Sequence, residues 1–256
     1  MELFDSHAHY DDKRFEEDYE EVILNAFSSG VKYILNAGSD IATSKKSIKL
    51  AEKFDFVYAA VGVHPHEVEK LSNTEYEELK KLCNHKKVVA IGEIGLDYYY
   101  DHSPREVQRY WFDKQIELGK EFNLPLIIHN RDSHEDIMNI IRRHTPYAKP
   151  GVLHCFTGSW EMAKELLNFG FYISFGGPIT FKNAKKAIEI IEKMPEDRLL
   201  IETDCPYLTP EPYRGRRNDS SYVLFVAKRI SEIRKISVEE AAKITTENTK
   251  RLFGIE

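Results

Sequence analysis

The feature that most constrains the fold is a regular alternation of short apolar runs with longer charged segments. The apolar runs end, in chain order, near His7, Ala37, Gly62, Glu93, His129, His154, Ser174 and Glu202. Successive ends lie on average about 28 residues apart, which is roughly the length of one strand with one crossover helix. Eight such units in 256 residues predict an α/β fold, a single-domain (β/α)₈ TIM barrel over residues 1–256.

The runs are apolar on both faces, as strands of a buried parallel sheet are. They predict strands at 31–35, 57–63, 88–91, 124–128, 152–153 and 199–201. The segment 103–106 predicts a helix start with Ser103 as the cap and Pro104 in the first helical position. Two closing helices, 222–233 and 238–253, follow the eighth strand. An open doubly wound sheet is disfavoured because no Gly-x-Gly-x-x-Gly turn follows the first strand.

Composition excludes several classes of protein. Lys plus Arg number 36 against 42 for Asp plus Glu, a net charge of -6, so the chain is not a basic nucleic-acid coat. Three widely spaced cysteines form no CxxC pair and indicate a reducing cytoplasm. The first ten residues lack the basic and apolar regions of a signal peptide, and no apolar run approaches the ~18 residues of a membrane span. The oligomeric state stays open.

Polar side chains recur where the predicted strands end. His7 and His9 are two residues apart and therefore face the same side of a strand, and so do Glu202 and Asp204. A barrel carries its chemistry at the carboxyl ends of its strands, so these residues are expected to meet. The strand ends supply six candidate metal ligands: His7, His9, Glu93, His129, His154 and Asp204.

Six imidazole and carboxylate ligands are the complement for two divalent ions that share a carboxylate. Without thiolates, this set suits zinc, manganese, iron or, less well, magnesium. Two such ions clamp phosphodiesters and some amides during hydrolysis. A single buried histidine is more often a hydrogen-bonded core residue, but the coincidence of all the strand ends favours metal. His85, His102, His134 and His144 are interpreted as surface residues.

Three stretches, 4–11, 125–132 and 200–206, give the chain a family resemblance, supported by 92–98, 154–159 and 212–218. It resembles the TatD-type metal-dependent deoxyribonucleases, within the amidohydrolase-like barrels. Tyr10, Ser133 and Ser220 depart from the family pattern, and none of them is a proposed ligand. The resemblance covers nearly the whole chain.

The resemblance implies that His7, His9 and Asp204 hold one ion, that His129 and His154 hold the other, and that Glu93 bridges them. It implies DNA as the partner and substrate, cleaved from 3′ to 5′ by a metal-activated water. Asp204 is expected to act as the general base, with Glu93 as the second catalytic residue. Some relatives hydrolyse D-aminoacyl-tRNA, so an ester or amide substrate is the alternative. A non-catalytic binding protein is disfavoured by the complete ligand set.

Outside the ligands, Glu202 is expected to accept a hydrogen bond from His7 or His9. Arginines and aromatic side chains near the barrel mouth suit a phosphate chain and its bases. The predicted substrate contacts are His64, His66, Arg131, Arg214 and Tyr98. The simpler interpretation is that Arg216 and Arg217 are solvated charges and that the tyrosines fill the barrel rim.

Overall fold

Eight parallel strands form the centre of the molecule in a computed structural model that describes residues 1–256. The strands are β1 (Leu3–Ala8), β2 (Val31–Ala37), β3 (Val57–Val61), β4 (Val88–Asp97), β5 (Leu126–Arg131), β6 (Gly151–Leu153), β7 (Tyr172–Phe175) and β8 (Leu199–Ile201). Each strand pairs in parallel with the next one in sequence. This order is that of a (β/α)₈ barrel, so the predicted fold class is confirmed.

Helices connect the strands and cover the sheet. They are α1 (Tyr19–Ser28), α2 (Ile41–Lys53), α3 (Asn73–Leu82), α4 (Arg105–Glu121), α5 (His134–His144), α6 (Trp160–Asn168), α7 (Lys185–Lys193), α8 (Val223–Arg234) and α9 (Val238–Phe253). The two predicted closing helices are α8 and α9, displaced by one residue at most. None of the helices has the combination of length and apolar character that crossing a membrane requires.

Hydrogen bonds between β1 and the segment after β8 close the ring. The Asp204 amide donates to the His7 carbonyl at 2.9 Å, and the His9 amide donates to the Cys205 carbonyl at 2.8 Å. The Ser6 hydroxyl also donates to the Ile201 carbonyl at 2.9 Å. The last residues of β1 are therefore tied to the residues that follow β8.

Two apolar clusters stabilise the barrel. The larger lies between the helices and the outer faces of the strands, and the smaller fills the barrel interior with side chains from every strand. Leu252, Phe253 and Ile255 at the end of α9 complete the inner cluster. Since α9 contacts β1 and β8, it seals the end of the barrel opposite the polar strand ends.

The start of α4 differs from the prediction. The helix begins at Arg105 with Pro104 at the cap position, and Ser103 is not the cap. The Ser103 side chain is fully buried, where it accepts from the Glu69 amide and donates to the His66 carbonyl at 3.1 Å. This hydroxyl bonds the loop after β3, so it is not available to the helix.

Candidate metal centre

One buried carboxylate, that of Glu93, lies at the centre of the polar strand ends. Its Oε1 is 2.8 Å from both His129 Nδ1 and His154 Nε2. Its Oε2 is 3.3 Å from His7 Nε2 and 3.4 Å from His9 Nε2. The side chain is 5% exposed, so nearly all of its charge is balanced by these imidazoles rather than by water.

Local register irregularities place these residues. The pairing of β4 with β5 shifts between Ile91 and Ile94, and that of β1 with β2 shifts between Asp5 and Ala8. Since simple alternation from Ala90, an inner residue, would not bring Glu93 inward, the β4 shift provides its orientation. In contrast, His129 and His154 lie two residues after the inner residues of β5 and β6 and need no such shift.

A first set of donors consists of His7, His9 and Asp204. The two Nε2 atoms are only 2.9 Å apart, and Asp204 Oδ1 lies 3.6 Å from His7 and 3.4 Å from His9. The Nδ1 of His9 contacts the Ala37 carbonyl at 2.9 Å, so in the neutral ring Nδ1 carries the proton and Nε2 has the free lone pair. That lone pair points toward His7 Nε2 and Asp204 Oδ1, an arrangement that suits a bound cation.

Glu93 takes part in two further sets, with His7 and His154 and with His64 and His129. His129 Nε2 lies 3.1 Å from Asp97 Oδ2, and its Nδ1 faces Glu93. A neutral imidazole can donate to only one of these carboxylates, so the second contact requires an imidazolium or a cation. Nitrogen and oxygen donors without thiolate are the set that zinc, manganese and iron accept.

The charges of the cluster are strongly coupled. Burial opposes ionisation of Glu93, but His154, His64 and His7 outweigh it and hold the pKa of Glu93 well below its usual range. Burial also opposes the charged form of His154, but Glu93 and Glu202 raise its pKa well above the ordinary value. Burial lowers the pKa of His64 to about 4. Glu93 is therefore ionised, and imidazolium groups balance a charge that bound cations could balance instead.

Asp97, at the end of β4, is a site residue that the sequence interpretation missed. Its Oδ2 contacts His129 Nε2 at 3.1 Å and His66 Nε2 at 2.9 Å. Its Oδ1 accepts the amides of Tyr99 and Tyr100 at 3.0 and 2.9 Å. The available signal was its place in the Gly92–Tyr98 motif, but its partners are distant in sequence. Asp97 fixes the ring orientation of His129.

The predicted hydrogen-bond partner of Glu202, His7 or His9, is wrong. Its Oε1 accepts the Cys155 amide at 2.6 Å and lies 3.5 Å from His154 Nδ1, whereas no contact joins it to His7 or His9. Glu202 and Asp204 both reach the cluster, but strand alternation does not place Asp204, because β8 ends at Ile201 and Asp204 has a φ of 58°. This left-handed backbone turns Asp204 toward His9, while Glu202 continues the inner face.

Asp5 is a second missed residue. It is fully buried and accepts from the Thr203 amide and hydroxyl at 2.8 and 2.6 Å, and from the Ser220 hydroxyl at 2.6 Å. Burial raises the pKa of Asp5 to about 7. Its bonds join β1 to the segment that carries Asp204, which positions Asp204 beside His9. Sequence spacing gives no signal of contacts across about two hundred residues.

The predicted substrate residues have different surroundings. His64 lies within the cluster, with Nε2 3.5 Å from Glu93 Oε1, and His66 is held by Asp97. Arg131 is exposed beside Tyr99 and Tyr100. Arg214 is exposed over the Phe181 ring at 4.3 Å.

Tyr98 lies apart from the cluster. Its hydroxyl donates to Asp136 at 2.6 Å, and Arg105 lies 4.4 Å from its ring centre. These bonds hold the Tyr98 hydroxyl against the neighbouring helices, and its predicted substrate contact stays a prediction. Arg217 forms a two-bond ion pair with Asp18 and is a structural charge.

Comparisons with known proteins identify the family of the chain. The family model described as TatD related DNase matches residues 4–254. The metal-dependent hydrolase YabD of Bacillus subtilis is 50% identical over 99% of both chains, and YcfH of Escherichia coli is 39% identical over 100% of this chain and 97% of its own. The crystal structure of YjjV, a TatD homologue from Escherichia coli, superposes with a TM-score of 0.93 at 33% identity, covering 99% of this chain and 98% of its own. The chain belongs to the TatD family of metal-dependent hydrolases.

Proposed function

We propose that this hydrolase cleaves the phosphodiester bonds of DNA with two divalent cations, acting on chain ends from 3′ to 5′. The observation that carries the proposal is the central position of Glu93, which takes part in two of three adjoining donor sets. Two ions that share a carboxylate suit in-line displacement at phosphorus. The polarity of digestion follows the family resemblance and is part of the proposal.

In this proposal, His7, His9 and Asp204 hold one cation, His129 and His154 hold the other, and Glu93 lies between them. The orientation of the rings supports the assignment, because His9 Nε2 faces Glu93 and Asp204, and His129 Nδ1 faces Glu93. When bound, the cations supply Lewis acidity and lower the pKa of coordinated water.

The chain itself supplies the proton acceptor. Burial opposes ionisation of Asp204, but without bound metal a hydrogen bond from protonated His9 and the charge of His7 keep its pKa below the ordinary value. Its side chain is 16% exposed, so it reaches the mouth of the site as a carboxylate. Asp204 accepts the proton of the attacking water, and the Glu202 carboxylate lies 3.5 Å from His154 Nδ1, on the far side of that ring from Glu93.

Five residues are substrate contacts in the proposal. His64 and His66 face the cluster from the end of β3, where an imidazole can donate to a phosphate oxygen. Arg131 and Arg214 form no ion pair with any carboxylate of the chain, so their charges are free to bind phosphate. Tyr98 is the fifth predicted contact, through its ring, because its hydroxyl is bonded to Asp136.

An assay on end-labelled single-stranded DNA tests this function. Purified protein, first stripped with a chelator, is incubated with Mg²⁺, Mn²⁺ or Zn²⁺, and a parallel panel offers carboxylic esters, amides and D-aminoacyl-tRNA. We expect metal-dependent release of nucleotides from the 3′ end. Hydrolysis confined to the ester and amide panel would assign the barrel to the alternative chemistry.

We also propose that the protein works in the cytoplasm. Cys83, Cys155 and Cys205 are all free thiols, and a reducing compartment keeps thiols in that state. Immunoblotting of cell fractions checks this location, and recovery in an oxidising compartment would contradict it.

A further inference from the structure

Exposed large apolar side chains are concentrated at the barrel mouth. Seven such side chains are exposed in the chain, and four of them lie in the segments after β4 and β8: Tyr99, Tyr100, Tyr207 and Leu208. In a ring of eight strands in sequential order, β4 and β8 lie on opposite sides. The two pairs therefore face each other across the Glu93 cluster, whereas isolated exposed apolar residues would be scattered.

The β4 platform consists of Tyr99, Tyr100, His102 and Arg131. The guanidinium of Arg131 lies 4.2 Å from the ring centre of Tyr99 and 4.8 Å from that of Tyr100. Tyr100 stacks on His102 with ring centres 5.6 Å apart and an interplanar angle of 8°. Tyr99 and Tyr100 are still 59% and 50% exposed, so their rings are open to a ligand.

The backbone of the β4 platform is anchored to the cluster. Asp97 accepts the amides of Tyr99 and Tyr100 with one oxygen and contacts His129 and His66 with the other. The ring of His66 lies 5.5 Å from that of Tyr100. One carboxylate thus fixes both the tyrosines and a cluster histidine, so the distance between platform and cluster is set by the fold.

The β8 platform consists of Arg14, Tyr207 and Leu208. Arg14 lies 4.1 Å from the ring centre of Tyr207, and the Tyr207 hydroxyl donates to Asp12 at 2.9 Å. The Tyr207 ring is 6.4 Å from that of His9, which places it beside the first donor set. The positive charge of Arg14 on the β8 platform is balanced, because Arg14 pairs with Asp12 at 2.9 Å.

We propose that the two platforms each stack one unpaired nucleobase, so that a single-stranded nucleic acid lies across the Glu93 cluster with a base on either side of the bond to be cleaved. Stacking on an aromatic face suits every base, because all of them present a π-face. The uncompensated charge of Arg131 on the β4 platform complements a phosphate chain. A duplex cannot offer unpaired bases to both sides at once.

This inference rests on the proposed function, and a binding experiment separates the two. Fluorescence anisotropy of labelled single-stranded oligonucleotides is measured in excess chelator, so that no hydrolysis is needed for the readout. DNA and RNA of equal sequence form two arms, and a blunt duplex forms a third. Oligonucleotides with one abasic position at each successive nucleotide report which bases contact the protein.

The variants Tyr100→Leu and Tyr207→Leu remove an aromatic face while keeping apolar volume. Tyr110→Leu is the matched control, since Tyr110 is 52% exposed on α4, away from the barrel mouth. We expect each platform variant to weaken single-strand binding by about ten-fold and to abolish discrimination against an abasic nucleotide at one position only. The control should match the unaltered protein.

Equal affinity for duplex and single strand, or platform variants no weaker than Tyr110→Leu, would overturn the two-platform inference. Neither result depends on catalysis. Conversely, tyrosine-dependent binding by a protein that cleaves no nucleic acid with any metal would retain the platforms and remove the proposed nuclease function. Comparison of the DNA and RNA arms shows whether the protein prefers deoxyribose or ribose in the bound strand.

Discussion

At the scale of single residues, Glu93 concentrates the interactions of the site. Five imidazoles lie within 3.5 Å of its two oxygens, and water reaches almost none of the side chain. Removing that charge leaves several histidines without the group that orients them. Loss of this charge should therefore lower metal content and catalytic activity together.

Glu93→Gln retains the size of the side chain and removes its charge. We expect metal occupancy to fall together with activity, and activity to fall by at least about 10²-fold. Elemental analysis of the dialysed protein, paired with turnover, measures both quantities. Glu247→Gln, an exposed change on α9, is the control. Full occupancy with full turnover in Glu93→Gln would contradict the bridging assignment.

Substitutions of the two acidic residues after β8, Glu202 and Asp204, should have different effects on catalysis. Asp204→Asn cannot accept a proton as a carboxylate does, so we expect kcat to fall by at least about 10²-fold, with KM changing less. Glu202→Gln still offers an oxygen to the Cys155 amide, so its loss should be smaller, at roughly 10–100-fold. Steady-state kinetics at saturating metal compares them. Loss of turnover in Glu202→Gln with turnover retained in Asp204→Asn would reverse the roles.

At the scale of elements, the sequence predicted the repeating units but not the details of their ends. Spacing and apolar content depend on neighbours along the chain, and both predict the barrel, α8 and α9. The irregular pairing of β4 and the left-handed backbone at Asp204 arise from tertiary packing. For the same reason, Asp5 and Asp97 were missed, since their partners lie in other strands and loops.

The end of α9 provides a prediction about stability alone. Phe253 is 6% exposed and belongs to the inner cluster, at the end of the barrel opposite the metal ligands. Phe253→Ala leaves a cavity there and should lower the free energy of unfolding by about 3–5 kcal/mol. Denaturant unfolding measures the loss, with exposed Leu24→Ala as the control. A change in kcat of the remaining folded protein would contradict the expectation that Phe253 affects stability alone.

At the scale of the whole molecule, the net charge of -6 opposes binding of a polyanion. Binding of DNA must then depend on a few positively charged side chains whose charge no carboxylate of the chain neutralises. Arg131 and Arg214 meet this condition, whereas Arg217 is paired with Asp18. The expected affinity for DNA is therefore local in origin and steeply dependent on salt.

Single charge removals can separate free arginines from paired ones. Each phosphate contact on a single strand contributes about 0.7 to the slope of log affinity against log salt, so Arg131→Gln and Arg214→Gln should each reduce that slope by about this amount. Arg217→Gln should leave the slope unchanged, because Arg217 already donates to Asp18. Anisotropy titrations at several salt concentrations, with metal content measured in parallel, provide the comparison. An equal reduction in all three variants would mean that the slope reports the overall charge of the chain rather than contacts at the barrel mouth, and the phosphate-binding roles of Arg131 and Arg214 would then be withdrawn.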